Sequence, residues 1–251
     1  MKRQTYDILN VGKNNRFFVR NKDGEPMCVH NCGYGMSANT FRNRMELTGN
    51  TEAVEMADDI VSAYRAKNNM IVAFWRECQR VLDVMYAGGS MWFGGANNDL
   101  FFADGSSEFH GVTIPSIRFP NGTYIWYQNL RKEAGDDGKV NYVYDQFKGR
   151  NWLPKRIWGS SLVENLCQAL SFCVLKWQAI EMAKRGVPIN LNVHDEWVSV
   201  VPRDLAVKSA VAMYECMKSV PDYIPQGLLD CELEVGRNYG DLNTLDMRKF
   251  V

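Results

Sequence analysis

Residues 160–201 constrain the fold most, because a long helical pattern there is followed by two short apolar runs. Between residues 160 and 185, apolar side chains recur at helical spacing, at Leu162, Val163, Leu166, Ala169, Leu170, Cys173 and Trp177. Apolar runs at 189–193 and 197–201 flank a tight polar turn, and another helix is predicted over 205–217. A long helix beside a short hairpin is typical of an α+β fold.

The region before this helix is predicted to hold two helices and then strands. Asn50 or Thr51 can cap a helix that continues to Tyr64, and a second helix over 70–85 ends at Gly88-Gly89. The aromatic-rich faces of both helices are interpreted as core. Residues 112–127 favour strands, with a hairpin turn at Pro120-Asn121-Gly122.

Composition limits the classes of function. Lys+Arg and Asp+Glu each number 29 in 251 residues, so any basic surface for nucleic acid has to be local. No apolar run approaches the roughly 20 residues of a membrane span, and no membrane partner is expected. The seven cysteines are scattered without a CxxC pair, which argues against zinc and favours a reducing cytoplasm.

The first thirty residues form a different pattern. Short strands are predicted over 6–11, 16–20 and 27–29, with a turn at 21–26. Three short strands without a helix cannot bury a core, so this segment needs the rest of the chain or a partner to fold.

The turn at His194-Asp195-Glu196 is the first candidate for chemistry. Two adjacent carboxylates between apolar strands can face a cleft and ligate a hard cation such as Mg²⁺ through oxygen. A solvated hairpin turn is the alternative interpretation of the tripeptide alone.

Several segments, taken in order, resemble the C-terminal part of phage-type family A DNA polymerases. Val193-His194-Asp195-Glu196 resembles their motif C, and Leu162-Val163-Glu164-Asn165 with Gln168 resembles the helix before it. Tyr34-Gly35-Met36 resembles the end of motif B, where the fingers helix closes on the nucleotide. Further matching segments lie at 220–228 and 234–240, so the resemblance covers about residues 32–251 and implies a palm and fingers fragment.

The resemblance implies template-directed nucleotidyl transfer with two Mg²⁺ ions. Asp195 would be one of two metal-binding aspartates, and Glu196 would support the site less directly. His194 would lie near the primer terminus, and Gln168 and Tyr34 would contact the primer–template. Primer–template DNA and dNTPs are the implied partners, in the cytoplasm of a phage-infected bacterium.

Parts of the family pattern are missing from this chain. Motif A, with the other metal-binding Asp, is absent, and so are the Arg and Lys of motif B that hold the triphosphate. Ser171-Phe172-Cys173 stands where relatives often have Ala-Arg-Asp, and Ser160 and Ser161 replace a common Gly-Lys. Without motif A and the basic residues of motif B, the chain alone would supply half of an active site.

The N-terminal residues resemble the C-terminal piece of a split intein (Hint fold). His30-Asn31-Cys32 resembles a splice junction, and Tyr6-Asp7-Ile8 and Asn15-Arg16-Phe17-Phe18 resemble the preceding strand motifs. The start at Met1 fits a split piece. Asn15 departs from the usual His, and a chance tripeptide is the alternative.

The residue types at the junction suit protein splicing. The Cys32 thiolate can accept an acyl chain from a thioester. The Asn31 side-chain amide can attack its own carbonyl to form a succinimide, which His30 can assist as a proton donor. Asp7 would assist from the neighbouring strand.

The predicted organisation is therefore a split-intein piece at 1–31 and a polymerase piece at 32–251. A separate chain would bring the N-terminal intein half, motif A and the rest of motif B. Two alternatives stay open: noncovalent assembly with an inactive intein remnant, and a non-catalytic DNA-binding module. Mg²⁺-dependent nucleotide addition after mixing with the partner would separate them.

Overall fold

The computed structural model describes residues 35–47, 49–135, 138–238 and 240–245, together with the backbone of Phe17–Arg20 and Pro26–Val29. Runs of helices and runs of antiparallel strands follow one another along the chain, which confirms the predicted α+β class. Within the described residues, no helix has both the length and the apolar character needed to cross a bilayer.

Six α-helices lie in this part of the chain. They are α1 (Ala38–Leu47), α2 (Thr51–Glu55), α3 (Ala57–Lys67), α4 (Asn69–Tyr86), α5 (Gly159–Lys184) and α6 (Ala206–Lys218), the last preceded by a 3₁₀ turn at Arg203–Leu205.

The described strands are short except for one hairpin. They are β1 (Phe17–Arg20), β2 (Pro26–Val29), β3 (Ser90–Phe93), β4 (Phe101–Asp104), β5 (Glu108–Phe109), β6 (Val112–Thr113), β7 (Ser116–Arg118), β8 (Tyr124–Trp126), β9 (Arg131–Ala134), β10 (Val140–Lys148), β11 (Asn151–Ile157), β12 (Leu191–Val193), β13 (Glu196–Val198), β14 (Glu234–Gly236) and β15 (Leu242–Thr244). One sheet has the order β3-β4-β7-β8 and another the order β11-β10-β9. The pairs β1-β2, β5-β6, β12-β13 and β14-β15 form two-stranded sheets.

The chain divides into two compact units. Unit 1 comprises the described residues up to Gly94, with Ala103–Ser116 and Trp126–Asn165. Unit 2 comprises Gly95–Phe102, Ile117–Ile125 and the described residues from Leu166 onward. One core cluster of unit 1 is formed by Phe41, Met45, Ala53, Ala57 and Val61, and a cluster of unit 2 by Met182, Val187 and Cys216.

Local sequence explains where the helices of unit 1 begin and end. The Asn50 side chain accepts a hydrogen bond from the Ala53 amide at 3.0 Å, so Asn50 is the cap of α2. The predicted single helix to Tyr64 is interrupted at Met56, where α2 ends and α3 starts. Helix α4 ends as predicted: Gly88 has a φ of 75°, and the Gly89 amide donates to the Val84 carbonyl at 3.0 Å, which is a Schellman motif.

The N-terminal pattern is confirmed for two of its three strands. Strands β1 and β2 pair antiparallel, with Phe17 opposite Val29 and Arg20 opposite Pro26. The third predicted strand, at 6–11, lies outside the described residues. The boundary between residues 31 and 32 also lies outside them, so the division into an intein piece and a polymerase piece stays a prediction.

Candidate functional site

The predicted motif C lies at the tip of the β12–β13 hairpin in unit 2. Val193 pairs with Glu196, so His194 and Asp195 form a two-residue turn. His194 has a φ of 55°, a left-handed conformation that His adopts more readily than most non-glycine residues. His194, Asp195 and Glu196 are all exposed. The tip therefore presents adjacent carboxylates to solvent, as the sequence predicts for a hairpin turn.

Side chains behind the tip fix the geometry of this hairpin. The Asn192 amide donates to the carbonyls of His194 at 3.3 Å and Glu196 at 3.1 Å, which ties the turn to its own strand. The Trp197 indole packs against the cluster of Met182, Val187 and Cys216. Its ring nitrogen is buried without a hydrogen-bond partner among the described residues. Apolar packing on α5 and α6 thus holds a hairpin too short to be stable alone.

Helix α5 confirms the long apolar pattern predicted from the sequence. Leu162, Val163, Leu166 and Cys173 are buried, while Gln168 is exposed. In unit 2, the fully buried Gln178 amide donates to the carbonyls of Met217 at 2.8 Å and Ser219 at 3.0 Å, which joins α5 to the end of α6. The predicted DNA-contacting Gln168 is therefore on a well-anchored helix with its side chain accessible.

Two sequence-predicted segments meet within unit 1. A Cβ added to Gly35 would lie 2.1 Å from Ser160 Oγ, so the residue after Tyr34 packs directly against the first turn of α5. Gly159 approaches α4 as closely, because an added Cβ would lie 2.0 Å from the Trp75 carbonyl oxygen. The Gly159 amide donates to Gln79 Oε1 at 2.9 Å. These close approaches require glycine at both positions.

An open cleft of about 620 Å³ lies beside this contact. Its lining residues are Gly35, Arg65, Ala66, Asn69, Val72, Trp75, Arg76, Gln79, Trp158, Gly159 and Ser160. The Arg65 guanidinium lies over the Trp75 ring, 5.8 Å from its centroid, and Arg65 Nη2 donates to the Met36 carbonyl at 3.3 Å. Cationic and aromatic side chains together suit a phosphate-bearing ligand with a flat ring.

No sequence pattern predicted the cleft, and part of its wall was expected to belong to the core. The aromatic face of α4 was expected to be buried, yet Trp75 is only half-buried and lines the cleft. Arg65 and Trp158 come from segments far apart in the chain, and no local pattern links them. Ser160 is buried, and its hydroxyl accepts a hydrogen bond from the Trp158 ring nitrogen at 2.8 Å.

The remaining predicted site residues are not described. Asp7, His30, Asn31, Cys32 and Tyr34 all lie outside the described residues, so the splice junction and the Tyr34 contact remain predictions.

The donor chemistry of the hairpin tip fits Mg²⁺. Exposed carboxylate oxygens of Asp195 and Glu196 are hard ligands, and Mg²⁺ commonly takes one or two protein carboxylates and completes its shell with water and phosphate. No group of three or more His, Cys, Asp or Glu side chains suited to a metal occurs in the described part of the chain.

Comparisons with known proteins do not assign the chain to a family. No family model matches it, and searches of curated proteins and of solved structures gave no match either.

Proposed function

We propose that the chain is the C-terminal half of a split family A DNA polymerase, joined to its N-terminal half by protein trans-splicing. The observation that carries the polymerase part is the two-residue turn at His194-Asp195, which presents carboxylates at the tip of a hairpin anchored on α5. The packing of Gly35 against Ser160 supports it, since these residues belong to two other segments of the resemblance.

The splicing step uses only residues at the junction. The Cys32 thiolate attacks a thioester at the end of the partner's polymerase segment, forms a new thioester and releases the partner's intein thiol. The Asn31 side-chain nitrogen then attacks the Asn31 carbonyl carbon, breaks the Asn31–Cys32 peptide bond and leaves a succinimide. His30 donates a proton to the departing amine. The freed Cys32 amino group attacks its own thioester and leaves a peptide bond.

After ligation, the chain's residues position the reacting groups. Asp195 and Glu196 would hold Mg²⁺ together with the motif A aspartate of the partner half. The two bound ions supply activation of the primer hydroxyl and neutralisation of charge on the phosphates. His194, at the apex of the turn, would lie beside the primer terminus, and Gln168 would contact the primer–template from α5. Catalysis is then mostly positioning and charge stabilisation.

Mass spectrometry of the mixed halves tests this proposal. We expect ligated product from the wild-type chain, no ligation with Cys32→Ala because the acyl acceptor is lost, and a branched intermediate with Asn31→Ala. The exposed Cys167→Ala variant is the matched control and should splice normally. Full ligation by both junction variants would overturn the intein assignment, and primer extension by the unspliced chain alone would overturn the split-enzyme assignment.

A further inference from the structure

The β10–β11 hairpin carries an exposed aromatic pair that packing does not explain. Phe147 and Trp152 lie opposite each other on neighbouring strands, with ring centroids 5.3 Å apart. Phe147 is 57% exposed and Trp152 is 59% exposed. Core aromatics elsewhere in unit 1, such as Phe41 and Tyr127, are almost completely buried. Large exposed apolar side chains in a pair mark a binding surface more often than scattered single ones do.

The same hairpin is locally basic in a chain whose net charge is zero. Residues 146–156 contain no Asp or Glu and four basic residues, namely Lys148, Arg150, Lys155 and Arg156. The side chains of all four are exposed, and no side-chain hydrogen bond or ion pair joins them to another residue that the structure describes. The charge is therefore available to an anionic partner.

Asp145 supplies the nearest carboxylate on the hairpin face that carries Phe147 and Trp152, and its charge is already paired. Asp145 accepts a hydrogen bond from the Asn129 amide at 2.9 Å and from Arg131 Nη1 at 2.8 Å. These two contacts hold the pKa of Asp145 below its ordinary value. Asp145 therefore remains paired inside the sheet and does not offset the basic residues at the tip.

Features of the edge strand disfavour a protein that adds a strand to this sheet. Strand β11 lies at the edge of the order β11-β10-β9, and Pro154 in its middle removes an amide donor. Lys155 and Arg156 follow directly. Proline and charged residues on an edge strand oppose pairing with another chain. The exposed aromatics and cations thus point to a ligand with flat rings and negative charge.

We propose that the β10–β11 hairpin is a binding surface for single-stranded nucleic acid. Phe147 and Trp152 would stack on unpaired bases, whose faces a duplex buries within its own stack. Lys148 and Arg150 at the tip, with Lys155 and Arg156 along β11, would contact the phosphates. The surface shares no residue with the cleft or with the His194-Asp195 turn, and the inference does not depend on the polymerase assignment.

Binding of fluorescent dT12 to the full, unspliced chain tests the proposal in buffer without Mg²⁺ or nucleotides. We expect Trp152→Ala to weaken binding at least about fivefold, because one stacking platform is lost. Trp152→Phe should retain most of the affinity. Lys148→Gln with Arg150→Gln should reduce the slope of log affinity against log salt by about 1.4, since each contact to a single strand contributes about 0.7.

Matched controls separate stacking from general effects. Leu153→Ala removes a 47%-exposed apolar side chain from the opposite face of the same hairpin and should leave dT12 affinity unchanged. Arg203→Gln with Lys208→Gln removes two exposed charges elsewhere and should leave the salt slope unchanged. Circular dichroism checks that each variant is folded.

Four results would overturn the proposal. The first is wild-type dT12 affinity in both Trp152→Ala and the tip double variant, and the second is a loss of affinity in Leu153→Ala equal to that in Trp152→Ala. The third is Trp152-dependent binding of a blunt duplex as tight as that of dT12. The fourth is Trp152-dependent capture of the chain by anionic vesicles when dT12 does not bind. Failure of the polymerase proposal is distinguishable, since it appears as ligated product that binds dT12 through Trp152 yet extends no primer.

Discussion

Two hairpins in this protein share one construction and differ in what their tips carry. The β10–β11 hairpin turns at Gly149-Arg150 and the β12–β13 hairpin at His194-Asp195, each with two residues between paired strands. The first has strands of nine and seven residues and a basic, aromatic surface; the second has strands of three residues and an acidic tip. A long hairpin can present a surface through its own pairing, whereas a short one depends on packing behind it.

The first turn residue has a positive φ in both hairpins, but it is a glycine in the long hairpin and a histidine in the short one. Gly149 adopts a φ of 66° without steric cost, as expected for the first position of a type II′ turn. His194 adopts a φ of 55° with a side chain, a conformation that costs about 1 kcal/mol or more for an ordinary residue.

The largest expected contrast in stability is between the tryptophans of the two hairpins. Trp197→Ala should destabilise the protein by about 2–3 kcal/mol, below the range for fully buried tryptophans because Trp197 is half-buried on Met182 and Cys216. Trp152→Ala should change stability by less than about 0.5 kcal/mol, since Trp152 is mostly exposed. Urea unfolding midpoints measure both.

Trp197→Phe provides the control for this contrast. It keeps much of the apolar packing and removes the buried ring N–H that has no described partner, so it should cost less than Trp197→Ala. Equal losses for Trp152→Ala and Trp197→Ala would contradict the view that only the short hairpin depends on packing.

A smaller effect on stability should appear when Gly149 is given a side chain and His194 loses its own. Gly149→Ala should destabilise by about 1 kcal/mol, because alanine is strained at positive φ. His194→Gly should change stability by less than about 0.5 kcal/mol, because relief of backbone strain offsets the greater flexibility of the unfolded chain. Thermal unfolding of both variants measures the difference. A loss above about 1 kcal/mol for His194→Gly would show that the imidazole stabilises the turn.

The smallest expected effect is a pH shift at the base of the long hairpin. Asn129→Ala and Arg131→Gln should each raise the pKa of Asp145 toward its ordinary value, because each removes a donor to that carboxylate. The folded pKa is lowered, so the contribution of Asp145 to stability is present above about pH 4 and is lost as pH falls through the folded pKa.

Carboxyl-carbon NMR titration measures that pKa directly. Asn141→Ala is the matched control, because the Asn141 amide donates to the Lys139 carbonyl and should leave the Asp145 titration unchanged. If Asp145 titrates identically in all three variants, it is not paired as described, and the charge of the long hairpin has to be reassessed.

The sequence predicted elements whose pattern is local. The periodicity of α5, the glycines that end α4 and the turn after Val193 are each set by neighbouring residues, and all three are observed. The predicted turn also included Glu196, which the structure places at the start of β13. The break at Met56 was missed because apolar residues keep helical spacing across it. Helix α1 and strand β9 were also not predicted. Strands β10 and β11 were missed because exposed Phe147, Trp152 and Leu153 obscure the alternation that marks a half-buried strand.

The candidate site was predictable only where its residues belong to a local sequence motif. His194, Asp195 and Gln168 belong to compact motifs and are accessible on the elements expected for them. The cleft depends on Arg65, Trp75 and Trp158, which tertiary structure brings together from separate elements. Such a grouping leaves no local signal in a single sequence.

Single-turnover primer extension by the ligated protein tests the central claim most directly. Asp195→Ala should splice as the wild type does and should then extend a primer at least about a hundredfold more slowly at saturating Mg²⁺, because a metal-holding carboxylate at the reacting phosphate is lost. Asp204→Ala, at the 3₁₀ turn before α6, is the matched control and should extend normally. Extension by Asp195→Ala within a few-fold of wild type would make the β12–β13 tip a simple solvated turn and would contradict the account.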